Sequence, residues 1–394
     1  MRRRALRSLT VLLLALGAGA AAFFLLSGDD APSYSPLDLE NDPWAYEEDR
    51  QGEFESRAAA GHSHVIYVKS PGGIHASAER VARYRDGIEA AAGEAGVDPD
   101  LVEGMVLLES AGLPDARASD DLEGAVGLTQ ILAETGTGLL GMQVDVEESE
   151  RLTRKLGRAR GPRQADRLRA RRARVDERFD PDEALAATGR YLAFAMEELG
   201  REDLAVTSYH MGVGNLQNVL GAYGDDETSY AQLYFDASPE RHPRAWRLLT
   251  GLGDDSKTYF WRVLASAEIM RLYREDRTEL GRLAKLHGAA DSAELVLHPR
   301  GETSEGGLRP EAAALLAYIR RGVREVSGVK RPLRVASRGP GYTFEIRRDY
   351  ANGDQAEAFQ YMLDRLQALN VIAWTRGART IRVTASEEGA ELRQ

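Results

Sequence analysis

Glu109 ends an apolar stretch, Leu101-Val102-Glu103-Gly104-Met105-Val106-Leu107-Leu108, and is followed by Ser110 and a glycine-containing turn. At 3.6 residues per turn, Val102, Met105 and Val106 share a helix face with position 109, which puts a carboxylate on the side meant for the interior. Burial disfavours the charged form, so the pKa rises and the group can keep a proton near neutral pH. A protonated carboxyl in an apolar cleft is what cleavage of a glycosidic bond asks for. A lone Glu near a helix C-terminus is more often solvated, so the surrounding residues must decide.

Those residues form ordered segments. Gly124-Ala125-Val126-Gly127-Leu128-Thr129-Gln130 follows Glu109-Ser110, Gly189-Arg190-Tyr191-Leu192 comes after Phe179-Asp180-Pro181, and Ser208-Tyr209-His210-Met211-Gly212-Val213-Gly214-Asn215 lies further on. Together they resemble the signature segments of the lytic transglycosylase family: Glu-Ser, Gly-Leu-Met-Gln and Ala-Tyr-Asn-Ala-Gly. The resemblance covers roughly residues 75 to 275 and implies a mainly α, lysozyme-like helical domain acting on peptidoglycan glycan strands.

It also implies a mechanism with one carboxylate, where most glycosidases use two. Glu109 would protonate the oxygen between N-acetylmuramic acid and N-acetylglucosamine. As a base, it would then help the muramyl C6 hydroxyl close a 1,6-anhydro ring. Ser110, Gly127, Gln130, Tyr209, Gly212, Asn215 and Tyr259 become the expected substrate-binding residues. Gly127 would admit a sugar close to the backbone, and Gln130 offers an amide that donates and accepts. By the same resemblance, the Tyr209 phenol would hold the catalytic carboxylate, with Asn215 and Tyr259 shaping the cleft floor. Thr129, His210 and Met211 depart from the family's usual Met, Asn and Ala without removing a group the mechanism needs. His210 reads as a cleft-lining residue rather than a second acid. Ser119 is displaced from the family's serine position by Asp120-Asp121-Leu122-Glu123, so its role is not carried over.

Two alternatives stay open. Goose-type lysozymes share the fold and use downstream aspartates to position a hydrolytic water, for which Asp115, Asp120 or Asp121 would serve. A non-catalytic peptidoglycan-binding scaffold is the other.

Around this region, Arg2, Arg3, Arg4 and Arg7 precede an uncharged run from Leu9 to Leu26. Basic residues before an apolar run of nearly bilayer-spanning length read as a signal anchor over residues 1–27, favoured over a cleaved signal peptide. The protein is thus expected in the cell envelope, exported and membrane-anchored through this helix, facing the periplasm or cell wall. The absence of cysteine removes disulfides and thiolate chemistry, and the net charge of −11 argues against nucleic acid as a partner.

Polar, acidic residues 28–62 read as a flexible linker, and Val65-Ile66-Tyr67-Val68 as a β-prone piece. A helix is expected over 76–95, and Asp98-Pro99 is suited to open the Glu109 helix. The helical domain spans 63–287 and contains a basic helical insertion at about 143–178. Residues 151–178 carry twelve Arg or Lys against three acids. They read as a solvated hairpin, or as an arm touching an anionic wall polymer or lipid.

Residues 288–307 read as a linker and 308–394 as a small α+β domain with its own core. Its segments around Leu308-Arg309-Pro310, Gly341-Tyr342-Thr343-Phe344-Glu345-Ile346 and Ile381-Arg382-Val383 faintly resemble zinc D-alanyl-D-alanine carboxypeptidases. No histidine follows His298, so neither a catalytic metal nor any other cofactor is expected. A retired peptidase fold gripping stem peptides and a plain packing module are both compatible with this.

Overall fold

The computed structural model describes residues 42–117, 119–298, 307–339 and 341–393. The chain is mainly helical. The first helices are α1 (Gln51–Lys69), α2 (Ile74–Ala82), α3 (Arg85–Ala95), α4 (Pro99–Ser110) and α5 (Ala133–Gly138). The basic segment supplies α6 (Val146–Leu156) and α7 (Pro162–Ala173). After it come α8 (Pro181–Leu199), α9 (Glu202–Met211), α10 (Val213–Tyr223), α11 (Tyr230–Asp236) and α12 (Pro243–Gly251). Three more helices close this region: α13 (Tyr259–Glu275), α14 (Arg277–Gly288) and α15 (Ser292–Leu297). The C-terminal unit has α16 (Pro310–Ser327), β1 (Val335–Arg338), β2 (Thr343–Arg347), α17 (Gly353–Ala368), β3 (Ile372–Arg376) and β4 (Thr380–Ala385).

The two helices that matter most are α4 and α13. Asp98 caps α4 by accepting from Asp100 N, and Pro99 fits its first turn. The helices pack antiparallel and very close. A Cβ on Gly104 would lie 2.7 Å from Val263 O and 2.9 Å from Ala267 N, so glycine permits the approach. At the far end, buried Glu103 accepts from Arg85 at 2.9 Å and from Arg274, while both arginines also bind Asp100. This charged knot ties α4 to α3 and α13 and thereby fixes the register that decides what faces Glu109.

Four expectations are corrected. Residues 42–62 are not a flexible linker where described. Trp44 is 1% exposed and meets Tyr318 edge-on, and Arg365 binds Asp42 Oδ2 at 3.0 Å and Trp44 O at 2.6 Å. The β-prone piece ends α1 instead. Phe54, Ala58, Ile66 and Tyr67 form a buried stripe against α13 and α17, so tertiary packing overrides the strand preference of Val65–Val68. The expected 288–307 linker contains α15, followed by His298, which is buried and stacked on Tyr342 at 3.6 Å. The helix expected over 76–95 is also broken, at Arg83-Tyr84.

The C-terminal sheet is antiparallel in the order β1-β2-β4-β3. Its apolar positions, including Phe344, Ile346 and Val383, share one continuous core with the helical region rather than enclosing a separate one. Lys257 and Asp364 add an ion pair at 2.6 Å across this contact. No helix among the described residues is long and apolar enough to cross a membrane, and the expected span over 9–26 lies outside them.

Candidate active site

Glu109 emerges at the last turn of α4, half-buried, with Tyr259 at the first residue of α13 opposite it. The Tyr259 hydroxyl donates to Glu109 Oε1 at 2.7 Å. Two effects oppose each other here. Burial pushes the carboxyl up and the phenol hydrogen bond pulls it down, with burial winning and leaving the pKa at about 7. The nearby charges of Arg262 and Asp255 act in opposite directions on it. Glu109 is therefore a carboxylic acid whose proton is available near neutral pH, and among the described residues no hydrogen bond reaches Oε2.

The expected tie between Tyr209 and the carboxylate is made by Tyr259 instead. The Tyr209 hydroxyl donates to Thr129 O at 2.8 Å, although its ring stacks 6.5 Å from that of Tyr259. Tyr209 is still near enough for the charge of Glu109 to add to the burial that raises its phenol pKa. Tyr259, 1% exposed, is held from the other side by His210, whose ring stacks on it at 5.2 Å. His210 Nδ1 in turn meets Ser256 Oγ at 2.8 Å. No bond links His210 to Glu109 among the described residues, in keeping with a lining role.

The Gly124–Gln130 segment forms the next wall. Gly127 has φ +84°, and a Cβ there would fall 1.8 Å from Arg178 O. Protein backbone alone therefore requires glycine at this position. Gln130 adopts φ +54° and donates Nε2 to Gly127 O at 2.9 Å. Ser110 is buried and donates back to Val106 O at 3.3 Å, so it offers no exposed donor for the expected sugar contact. Gly212, at φ +83°, turns the chain from α9 into α10, and Asn215 donates Nδ2 to Met211 O at 2.8 Å. Both shape that corner.

Sequence reasoning missed the pair that holds this wall. Arg178 and Asp176 are both 0% exposed and joined at 2.9 Å. The guanidinium also donates to Leu122 O, Gly124 O and Ile131 O, gripping the loop at three carbonyls. Asp176 accepts in addition from Ser149 Oγ at 2.7 Å. The available signal was faint: an acid and a base two residues apart beside Phe179-Asp180-Pro181, inside a stretch that reads as solvated.

Of the aspartates suited to positioning water, two are occupied elsewhere. Asp115 is bound by Arg169 and Arg172, Asp120 is exposed beside Arg117, and Asp121 caps Glu123 N. Among the described residues no cluster of three or more His, Asp or Glu could hold a metal ion.

The geometry joins one carboxylic acid, Glu109, to the phenol of Tyr259. Residues 161–232 match the family model of the transglycosylase SLT domain, and this match supports assigning the chain to the lytic transglycosylases. It also supports the lysozyme-like reading of the helical region and an enzyme acting on peptidoglycan. The matched stretch contains Tyr209, Gly212 and Asn215 but not Glu109, Gln130 or Tyr259, whose roles rest on geometry. No curated protein matches the chain.

Proposed function

We propose that the protein is a peptidoglycan lytic transglycosylase in which Glu109 acts first as acid and then as base. The observation that carries this is the Tyr259-bonded, half-buried Glu109 with its pKa raised to about 7. The carboxyl gives its proton to the glycosidic oxygen as the bond to muramyl C1 breaks, and the substrate's N-acetyl group supports the cation. The resulting carboxylate keeps the Tyr259 hydrogen bond, which favours the ionised form. It then takes the proton from the muramyl C6 hydroxyl as O6 bonds to C1. Glu109 ends protonated, and no water is consumed. One group exchanging roles in this way satisfies microscopic reversibility.

The ties of Asp115 to Arg169 and Arg172 and of Asp121 to Glu123 N support this over hydrolysis. A binding scaffold would not need a carboxyl kept protonated by burial. Gln130 and Tyr209 are read as glycan-facing residues of the groove. The apolar run at residues 9–26 is read as a membrane anchor that holds the enzyme on the exported side of the envelope. The docked C-terminal unit is read as a non-catalytic module bracing α1 and the segment before Tyr259. Mass spectrometry of fragments released from purified sacculi tests the chemistry. We expect 1,6-anhydro ends, one water lighter than reducing ends; reducing ends alone would establish hydrolysis instead.

A further inference from the structure

The α6–α7 hairpin has two faces with different duties. On its inner side, Arg169 and Arg172 bind Asp115, six residues beyond Glu109, and Arg172 stacks over Phe179 at 3.6 Å. On a helical projection Arg163, Arg167, Arg171 and Arg174 fall within about 80° of one another, on the side away from those anchors. All four are exposed, as are Arg158 and Arg160 in the turn between the helices. Of these six, only Arg171 has a carboxylate partner among the described residues, and it shares Glu148 with Arg151.

Such a stripe is costly without a ligand, since like charges in a row repel. It is also against the trend of a chain whose net charge is −11. The ligand that would offset it is an anion. Its placement narrows the choice. The hairpin is fastened at Asp115, just past the Glu109 helix, and at Arg178, which grips the loop bearing Gln130. The stripe faces away from these anchors, so an anion held on it must extend beyond the Glu109 site, as the peptide stems of a glycan strand do. The hairpin also exposes no large apolar side chain; among the described residues the exposed ones are Val65, Val68, Leu132 and Leu139. Surface-lying membrane helices add such a face to their charge, so a lipid partner is disfavoured.

We infer that the outer face of the α6–α7 hairpin binds the carboxylates of peptide stems carried by the glycan strand in the Glu109 groove. This rests on the groove being a glycan site. The arginines act as a subsite that selects strands still bearing acidic stems and recruits them in a salt-dependent way.

Binding tests it without requiring turnover. The full chain and a variant with Arg158→Gln, Arg160→Gln, Arg163→Gln and Arg167→Gln are compared on peptide-bearing and peptide-stripped glycan at low and high salt. All four positions are exposed, so the fold should persist. The expected result is roughly tenfold tighter binding of the peptide-bearing strand by the parent at low salt, lost in the variant and in high salt. Equal affinity of the parent for both strands would overturn the proposal. So would a variant that keeps the preference, or one that loses only affinity for phosphatidylglycerol vesicles, which would assign the face to a membrane. Failure of the parent to cleave either strand, scored separately, would count against the enzymatic reading and leave the binding result standing.

Discussion

Glu109→Gln should lower the rate of wall solubilisation by at least about a hundredfold, in line with the ~10²–10⁴-fold worth of a general acid-base group. The same change should stabilise the protein above neutral pH. In the folded chain the carboxyl titrates at about 7, against an ordinary 4.5. Between those values the native state binds more protons than the unfolded one, so the parent loses stability as pH rises through that window. Above pH 7 an ionised Glu109 costs up to about 3 kcal/mol relative to its neutral form. Glutamine keeps the shape and cannot ionise. Urea unfolding of both proteins at pH 4.5 and pH 8 should show a gap that opens only at the higher pH. A variant that remains active, or a gap that does not grow with pH, would remove Glu109 from its assigned role.

Arg178→Met is expected to cost about 3–5 kcal/mol, because it strands the buried Asp176 carboxylate without its countercharge. It also releases Leu122 O, Gly124 O and Ile131 O, so the loop bearing Gln130 should loosen. Denaturant unfolding reads the stability loss, and adding Asp176→Asn should recover part of it by removing the orphaned charge. A double variant no more stable than the single one would mean that the loop carbonyls, and not the ion pair, set the cost.

These two residues mark what the sequence made legible. Glu109 could be read because the signal is local: Val102, Met105 and Val106 share its helix face, and all three are buried. Burial alone then dictates the direction of its pKa. Arg178 could not be read, because its partners are the carbonyls of a loop some fifty residues earlier, and nothing in a basic run marks one arginine as interior. Tyr259 shows the intermediate case. Its place at the head of an apolar helix was visible, but whether it or Tyr209 would reach Glu109 depended on the antiparallel register of α4 and α13. That register is set by Gly104 and the Glu103–Arg274 contact, neither of which advertises a pairing. The strand expected at Val65–Val68 failed for the converse reason. A four-residue β-branched and aromatic window ignores the buried stripe that begins at Phe54 and runs through Ala58.

In the C-terminal sheet, β4 contains the Ile381-Arg382-Val383 segment singled out in the sequence, with Ile381 and Val383 buried and Arg382 exposed between them. The sheet's association with the rest was not legible. Asp42, Lys257, Tyr361 and Arg365 look like surface residues until distant parts of the chain meet, whereupon Arg365 is buried between Tyr318, Asp42 and Trp44. This contact gives the first described residues a structural duty that a polar, acidic composition conceals.

An NMR titration of the Glu109 side-chain carboxyl carbon, assigned by its loss in Glu109→Gln, addresses the proton directly. The expected midpoint lies near pH 7 and moves higher in Tyr259→Phe, because the phenol hydrogen bond that favours the carboxylate is gone. A midpoint at the ordinary value near 4.5, unchanged by loss of the tyrosine hydroxyl, would contradict this expectation.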